Sequence, residues 1–264
     1  MANSTGDHTT VRSLGGLSAV RKDCMCANQI QLSILIPVFN EEALLEQALR
    51  VLYQGLCERF NLGSFELILC ENGSTDRSLE IAEQFASARP GLRVEHLPIA
   101  SYGNALRHGI SSARGQNLVI FNVDYWDLAF LDTALTSLET CDFVIGSKNA
   151  EGATDKRPIL RRLITISFNL LLRVLFGFKG TDTHGIKAMD TSRAKKLVQE
   201  CVTNREMFDT ELVLRAQNAG LSICEIGVEV AEKRPSRYSL VRRIPTTLVD
   251  LITLMGSFWF SGGR

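Results

Sequence analysis

Leu32-Ser-Ile-Leu-Ile-Pro-Val-Phe-Asn-Glu41 decides how this chain folds. Leu32 to Ile36 is almost unbroken apolar sequence, the pattern of a strand buried on both faces. Pro37, with no N–H to give a ladder, ends it. Asn40-Glu-Glu then opens a helix that puts Leu44, Leu45, Ala48, Leu49 and Leu52 on one face. A doubly covered strand followed at once by a helix is the repeating unit of a mainly parallel sheet.

The unit recurs downstream. Phe65 to Cys70 reads as a second strand, Asp76 toward Ala88 as a helix, and Arg93 to Leu97 as a third strand. Gly103 to Ala113 reads as a helix, and Asn117 to Asn122 and Cys141 to Gly146 as further strands. The expected fold class is therefore α/β, a mainly parallel central sheet with helices on both faces. Residues 1–31, rich in Ser, Thr, Gly and Asn, read as a mobile tail. Residues 32–236 form the expected domain and 237–264 an amphipathic C-terminal segment.

Composition narrows the function. The 264 residues are 45% hydrophobic and 22% charged, which excludes collagen-like and wholly disordered classes. Lys and Arg number 29 and Asp and Glu 29, so no global basic field speaks for nucleic acid. The odd count of seven cysteines, several inside apolar runs, reads as reduced buried thiols in a cytosolic protein. The N-terminus carries acids and no long apolar core, so no signal peptide is expected. No uncharged apolar run reaches the ~18 residues of a membrane span.

In open sheets of this kind, ligands bind beyond the carboxyl ends of the strands. Those ends are Pro37-Val-Phe-Asn-Glu41, Glu71-Asn-Gly-Ser74 and Asn122-Val-Asp124, all polar or turn-forming. Asp124 can ligate a hard divalent cation or cap the next helix, and spacing leaves both open. Glu71 and Asn72 can meet a nucleoside or simply build a turn. Tyr102-Gly-Asn-Ala-Leu-Arg107 opens a helix that can lie near a phosphate. Asp209 and Glu211 are helix-start acids or catalytic acids, and His184 reads as an ordinary loop histidine.

Taken in order, these pieces resemble glycosyltransferase family 2. Leu32 to Glu41 looks like its opening strand and Leu67 to Asp76 like its second strand and acidic turn. Gly103-Asn-Ala-Leu-Arg-His-Gly109 resembles its G-x-A-x-R-x-G stretch. Asn122-Val-Asp124 stands where a D-x-D motif would be. Asp182-Thr-His-Gly-Ile-Lys-Ala188 and Phe208-Asp-Thr-Glu211 resemble later landmarks. The nearest subgroup is the polyprenyl-phosphate (dolichol-phosphate) hexose synthases. The resemblance implies a GT-A fold with a UDP or GDP sugar in the cleft and Mg2+ or Mn2+ held by Asp124 with Asn122. Pro37, Phe39, Glu41, Glu71, Asn72 and Arg107 would face the donor. Arg234, Arg237 and Ser239 resemble a late basic segment that contacts phosphates, and Lys148 falls where the subgroup often has an Arg near the cleft.

Two departures stand out. The first acid of D-x-D is Asn122, and the acidic pair of the turn is Glu71-Asn72. An amide ligates through its carbonyl oxygen but brings no charge. The subgroup sometimes has a further ligand two residues past the second acid, where this chain has Trp126, and Asp127, one position on, is the substitute on offer. The departures also keep a non-catalytic nucleotide-sugar-binding module as an alternative.

Ile159 to Phe178 and Tyr238 to Phe260 are strongly apolar with basic interruptions, Arg161, Arg162 and Arg173 in the first, Arg242 and Arg243 in the second. They read as interfacial helices, against the alternative of two core helices. The expectation is peripheral attachment at the cytosolic membrane face and a polyprenyl phosphate acceptor. That acceptor is already largely dianionic and needs no strong base. A glycan or other hydroxyl acceptor would need one, and Asp209 or Glu211 would serve.

Overall fold

A computed structural model describes residues 30–230 and 240–261. The strands are β1 (Leu32–Val38), β2 (Phe65–Asn72), β3 (Leu92–Leu97), β4 (Asn117–Ile120), β5 (Phe143–Ser147), β6 (Thr154–Asp155), β7 (Lys187–Asp190), β8 (Ile223–Gly227) and β9 (Glu229–Val230). The helices are α1 (Leu45–Arg59), α2 (Ser78–Ser87), α3 (Tyr102–Ser112), α4 (Leu128–Ser137), α5 (Ile159–Phe176), α6 (Thr191–Glu200), α7 (Phe208–Asn218) and α8 (Leu240–Ser261). Residues 1–29 of the expected tail lie outside the described residues, as do Arg234, Arg237 and Ser239, while Ile30 and Gln31 are already tied to Gln116, Asn117 and Ser64 by backbone hydrogen bonds.

Seven strands form one sheet in the order β3-β2-β1-β4-β7-β5-β8. β1 runs parallel to β2 and β4, β2 to β3, and β5 to β8. Only β7 runs against its neighbours β4 and β5. The alternation along β1 explains why its sequence is apolar throughout. Leu32, Ile34, Ile36 and Val38 join a core with α1, α2 and α4, while Leu35 joins the opposite core with α3, α6 and α7.

Three expectations need correction. The first helix starts at Leu45 rather than at Asn40. Asn40 adopts φ +54°, its N–H is given to Ser74 and that of Glu41 to Ser78, so this stretch stitches two loops together. Cys70 and Cys201 are free, buried thiols as expected, but Cys57 is free and exposed, and Cys141 and Cys224 form a disulfide. Cys141 precedes β5 and Cys224 lies on its neighbour β8, with Cα atoms 6.1 Å apart. β1 also runs on through Pro37 to Val38, still paired with β2, rather than ending at Pro37. The two apolar segments, expected as interfacial helices, keep much of their apolar surface exposed. In α5 only Asn169 and Leu172 are buried, while Ile159, Leu163, Ile166, Leu170 and Val174 are each more than half exposed. α8 buries Leu251 and Leu254 and exposes Leu248, Val249, Ile252 and Trp259. The two helices meet through Phe176 and Phe258, ring centroids 5.5 Å apart. Among the described residues, no helix is long and apolar enough to cross a membrane.

Opposite the strands' carboxyl ends, Glu66 is buried in a polar knot. It accepts from Ser33 Oγ (2.6 Å), the Arg114 N–H (2.6 Å) and the Arg93 and Arg114 guanidinium groups. Burial raises its pKa, but these donors outweigh it and hold the carboxyl below the usual range.

Candidate active site

The loops after β1 and β2 form one wall. Asn40 Oδ1 accepts from the Thr75 N–H (2.8 Å), and Asp76 accepts from the N–H groups of Glu42 (3.1 Å) and Ser78 (2.9 Å). Glu71 is fully buried and accepts from the Ser74 N–H (2.7 Å), the Gly73 N–H (3.3 Å) and His96 Nδ1 (2.5 Å). Burial raises its pKa, and the bonds from Ser74, His96 and Gly73 more than offset that, leaving the carboxyl low. Glu71 thus builds the turn. Asn72 Oδ1 takes the Ser101 N–H at 2.5 Å, which brings the start of α3 to the same edge. Pro37, near the end of β1, and Phe39 and Glu41 in the loop after it are half-buried or buried.

The segment after β4 carries Asn122 and Asp124. Asn122 and Tyr125 exchange backbone hydrogen bonds of 2.9 and 3.2 Å, a tight turn that places Asp124 inside it. Asp127 caps α4, accepting from the N–H groups of Ala129 (2.8 Å) and Phe130 (3.2 Å). That corrects the expectation that Asp127 substitutes as a ligand, and it removes the cap reading of Asp124. Among the described residues, no three His, Cys, Asp or Glu side chains converge on a metal position. The Asp124 carboxylate and Asn122 amide oxygen are hard donors. They fit Mg2+ or Mn2+ that completes its shell with diphosphate oxygens and water.

β7 brings the other wall. Ile120 pairs with Lys187 in antiparallel register, which sets the 183–186 segment beside the chain leaving β4. Gly185 must be glycine, because a Cβ there would collide with the Gly146 carbonyl oxygen. Lys148 Nζ lies 2.8 Å from Asp182 Oδ2, both nearly buried. Burial raises the Asp182 pKa, but Lys148 and the His184 N–H prevail and lower it. Tyr125, one residue after Asp124, feels Asp182 as well: burial, Asp127 and then Asp182 raise its phenol pKa. Lys187, 1% exposed, reaches Asp209 Oδ1 at 3.0 Å and gives a hydrogen bond to the Gly185 carbonyl (2.8 Å). Tyr102 donates to Asp209 Oδ2 at 2.6 Å. Asp209 Oδ1 has ion-pair proximity to Lys187 but no hydrogen bond of acceptable direction.

Residues 33–197, more than half the chain, match the model of glycosyl transferase family 2. The chain belongs to that family. It is 28% identical over 220 residues to glycosyltransferase AglD of Haloferax volcanii, covering 81% of this chain but 35% of that relative. The chain therefore spans about a third of AglD's length. It is 28% identical over 221 residues to a dolichyl-phosphate beta-glucosyltransferase of Drosophila melanogaster, covering 77% of this chain and 68% of the relative. Among solved structures, Mycobacterium tuberculosis glucosyl-3-phosphoglycerate synthase with Mn2+ and UDP-glucose aligns with TM-score 0.63 at 18% identity, over 86% of this chain and 79% of that one. That likeness concerns the fold, which is GT-A as expected.

In this glycosyltransferase two expected site residues serve the framework instead. Arg107 donates to the Val198 carbonyl (2.6 Å), the Thr203 carbonyl (3.2 Å) and Asn204 Oδ1 (3.2 Å), so its guanidinium ties α3 to the loop after α6. This corrects its assignment to the donor. Glu211, fully buried, accepts from the N–H groups of Val202 (2.8 Å) and Thr203 (2.7 Å), from Thr203 Oγ1 (2.6 Å) and from Arg215 (2.6 Å). Two residues along a helix turn about 200°, so Glu211 faces away from Asp209. It is no candidate base. The partners of Arg107 lie more than 90 residues away, and those of Glu211 combine Arg215 one turn along α7 with the loop before it, whose N–H groups no sequence pattern marks as donors. Lys187 stands within the Asp182–Ala188 stretch, where nothing in the sequence marks it as the partner of an acid on α7.

Proposed function

We propose that this glycosyltransferase moves a hexose from a nucleoside-diphosphate sugar to a polyprenyl phosphate at the cytosolic face of a membrane. The carrying observation is the position of α5. Its inner face holds the 181–184 loop, through Asn169, which donates to the Thr181 carbonyl at 2.5 Å, and Phe168, 6.0 Å from the His184 ring, so its exposed apolar face runs alongside that loop. An acceptor with an apolar tail and a phosphate head would have both ends served at that junction. The Drosophila relative, whose name specifies dolichyl phosphate and glucose, supports the same reading.

The commitment of the acids favours a phosphate acceptor over a hydroxyl one. Glu211 is spent on the 202–203 loop, and Asp209 is paired with Lys187 and Tyr102. A phosphate monoester attacks without surrendering a proton, so positioning and charge neutralisation suffice. Asp124 and Asn122 would hold the Mg2+ or Mn2+ that neutralises the leaving diphosphate. Glu71, Asn72 and the Asn40–Glu41 loop would frame the nucleoside. The reaction is a single displacement with inversion at the anomeric carbon.

The test supplies labelled UDP- and GDP-hexoses with Mn2+ and offers a short polyprenyl phosphate or a free glycan. Label recovered on the lipid, with one donor base and inverted anomeric configuration, is the expected result. Label on the glycan alone, or on neither, refutes the reading.

A further inference from the structure

His184 is an exposed residue among charges that the reaction scheme above leaves without a role. Its Nδ1 lies 3.0 Å from Thr183 Oγ1, which is 3.0 Å from Thr210 Oγ1 on α7. The two hydroxyls form a relay, and with Thr183 donating to Nδ1 the ring hydrogen sits on Nε2 of a residue that is exposed overall. The backbone N–H of His184 is fixed by Asp182 Oδ1 at 3.0 Å, and Asp182 is itself clamped by Lys148. The loop is therefore pinned on both sides of the ring.

An apolar strip leads to this ring. Phe168 lies 6.0 Å from His184, and Ile164 and Leu171, four residues before and three after it, share its side of the helix. They remain 41% and 39% exposed. Within one helix face, then, the surface passes from exposed aliphatic side chains to an imidazole N–H, with Lys148 and Lys187 close behind. The β4–β7 register, which pairs Ile120 with Lys187, runs the backbone that leads from His184 into β7 alongside the chain leaving β4 toward Asn122–Asp124. The two ends of the strip differ in chemistry as the two ends of an isoprenoid phosphate do.

We propose that His184 is the contact for the acceptor's phosphate monoester, with Ile164, Phe168 and Leu171 receiving the first isoprene units of its tail. This rests on the acceptor reading above and adds to it the residue that recognises the head group. A neutral imidazole donates one hydrogen bond to a phosphate oxygen and takes up no proton in the reaction. The surrounding groups agree with the neutral form. Dense protein around the ring lowers its pKa although solvent reaches the residue; Asp209 opposes this, Lys148 adds to it, Asp182 opposes, Lys187 adds, and the balance is downward.

The test uses farnesyl phosphate and inorganic phosphate as probes, titrated calorimetrically into the full chain with UDP or GDP and Mn2+ present. His184→Asn keeps an atom near Nδ1 and loses the outer donor, whereas His184→Gln places an amide near Nε2. Wild type should bind farnesyl phosphate more tightly than inorganic phosphate. His184→Asn should lose about tenfold or more in farnesyl phosphate affinity, the scale of one hydrogen bond to a charged group. His184→Gln should stay within about threefold of wild type, and both variants should keep nucleotide affinity. Farnesyl phosphate bound equally by wild type and His184→Asn overturns the role of His184 while leaving the acceptor reading intact. A parallel loss of nucleotide binding overturns it too, as a purely structural effect. No farnesyl phosphate binding by wild type overturns the acceptor reading and this inference with it.

Discussion

Lys187 Nζ lies 3.0 Å from Asp209 Oδ1, and the two side chains are 1% and 7% exposed. A lysine in the middle of a sheet, with Ile120 and Ile145 opposite it on either side, tolerates burial only because a carboxylate comes to meet it. Removing one partner strands the other charge, which costs about 3–5 kcal/mol, whereas replacing both by apolar groups is often near neutral. Lys187→Met should therefore lower the urea unfolding free energy by about that amount. Lys187→Met combined with Asp209→Leu should recover most of it. A single variant as stable as wild type would mean that the pair contributes no coupling.

Asp124 and Asp127 make an internal control for the metal assignment. Asp127 caps α4 through the Ala129 and Phe130 N–H groups, and losing a cap costs about 1 kcal/mol. Asp127→Ala should lower Tm by about 2–4 °C and retain turnover. Asp124→Ala should keep Tm within a degree or so of wild type and abolish Mn2+-dependent transfer. Calorimetry beside an activity assay reads both, and reversal of the two phenotypes would exchange the roles.

These two cases also show what the sequence could and could not display. The parallel strands were legible because burial on both faces leaves a nearly unbroken apolar run, as in Leu32 to Ile36 with Ser33 its one polar residue. β7 was not, since Lys187-Ala-Met-Asp190 is short, charged at both ends, and made possible by an acid on α7. Asn122, Asp124, Glu71 and Asn72 stand out as candidates because they lie at or just beyond the strands' carboxyl ends. Glu211 and Arg107 were misplaced for the opposite reason: a buried acid or guanidinium is defined by partners from other loops, here 202–203 and 198–204. The Cys141–Cys224 disulfide was equally hidden, because only the β5–β8 pairing brings the two cysteines together.

Glu211→Gln separates framework from chemistry. The carboxylate serves two backbone N–H groups, a hydroxyl and Arg215, and the amide can accept with one oxygen only. Stability should drop by about 3 kcal/mol or more, leaving Arg215 and a loop N–H unpaired. Turnover per folded molecule at low temperature should fall only modestly. Full stability with lost turnover would restore Glu211 as a base.

Acid should weaken the fold through Glu66, Glu71 and Asp182. All three have folded pKa values held below the unfolded ones, by hydrogen bonds and cations that outweigh burial. Their contribution is complete above the unfolded values of about 4 and is lost as pH falls through the folded ones. The urea midpoint should accordingly decline below about pH 4. Glu66→Gln, less stable at neutral pH, should decline less steeply. Parallel curves for the two proteins would exclude Glu66 from the acid transition.

The outer face of α5 offers the last test, because exposure and burial alternate along one helix. Leu163, Ile166 and Leu170 are 54%, 57% and 59% exposed, whereas Leu172 is fully buried. If the exposed set meets a lipid surface, replacing those three by serine should change the unfolding free energy little, within about 0.5 kcal/mol each. Each apolar side chain would nevertheless bury about 1.5–3 kcal/mol worth of surface at a bilayer, so co-sedimentation with vesicles containing anionic lipid should collapse. Leu172→Ser should do the reverse, destabilising the fold by a cavity-sized ~2–5 kcal/mol while the folded fraction still binds vesicles. Turnover then discriminates further. The triple variant should transfer sugar poorly to a long polyprenyl phosphate in vesicles and nearly normally to a short, water-soluble one. Unchanged vesicle binding by the triple variant would show that this face does not meet the membrane.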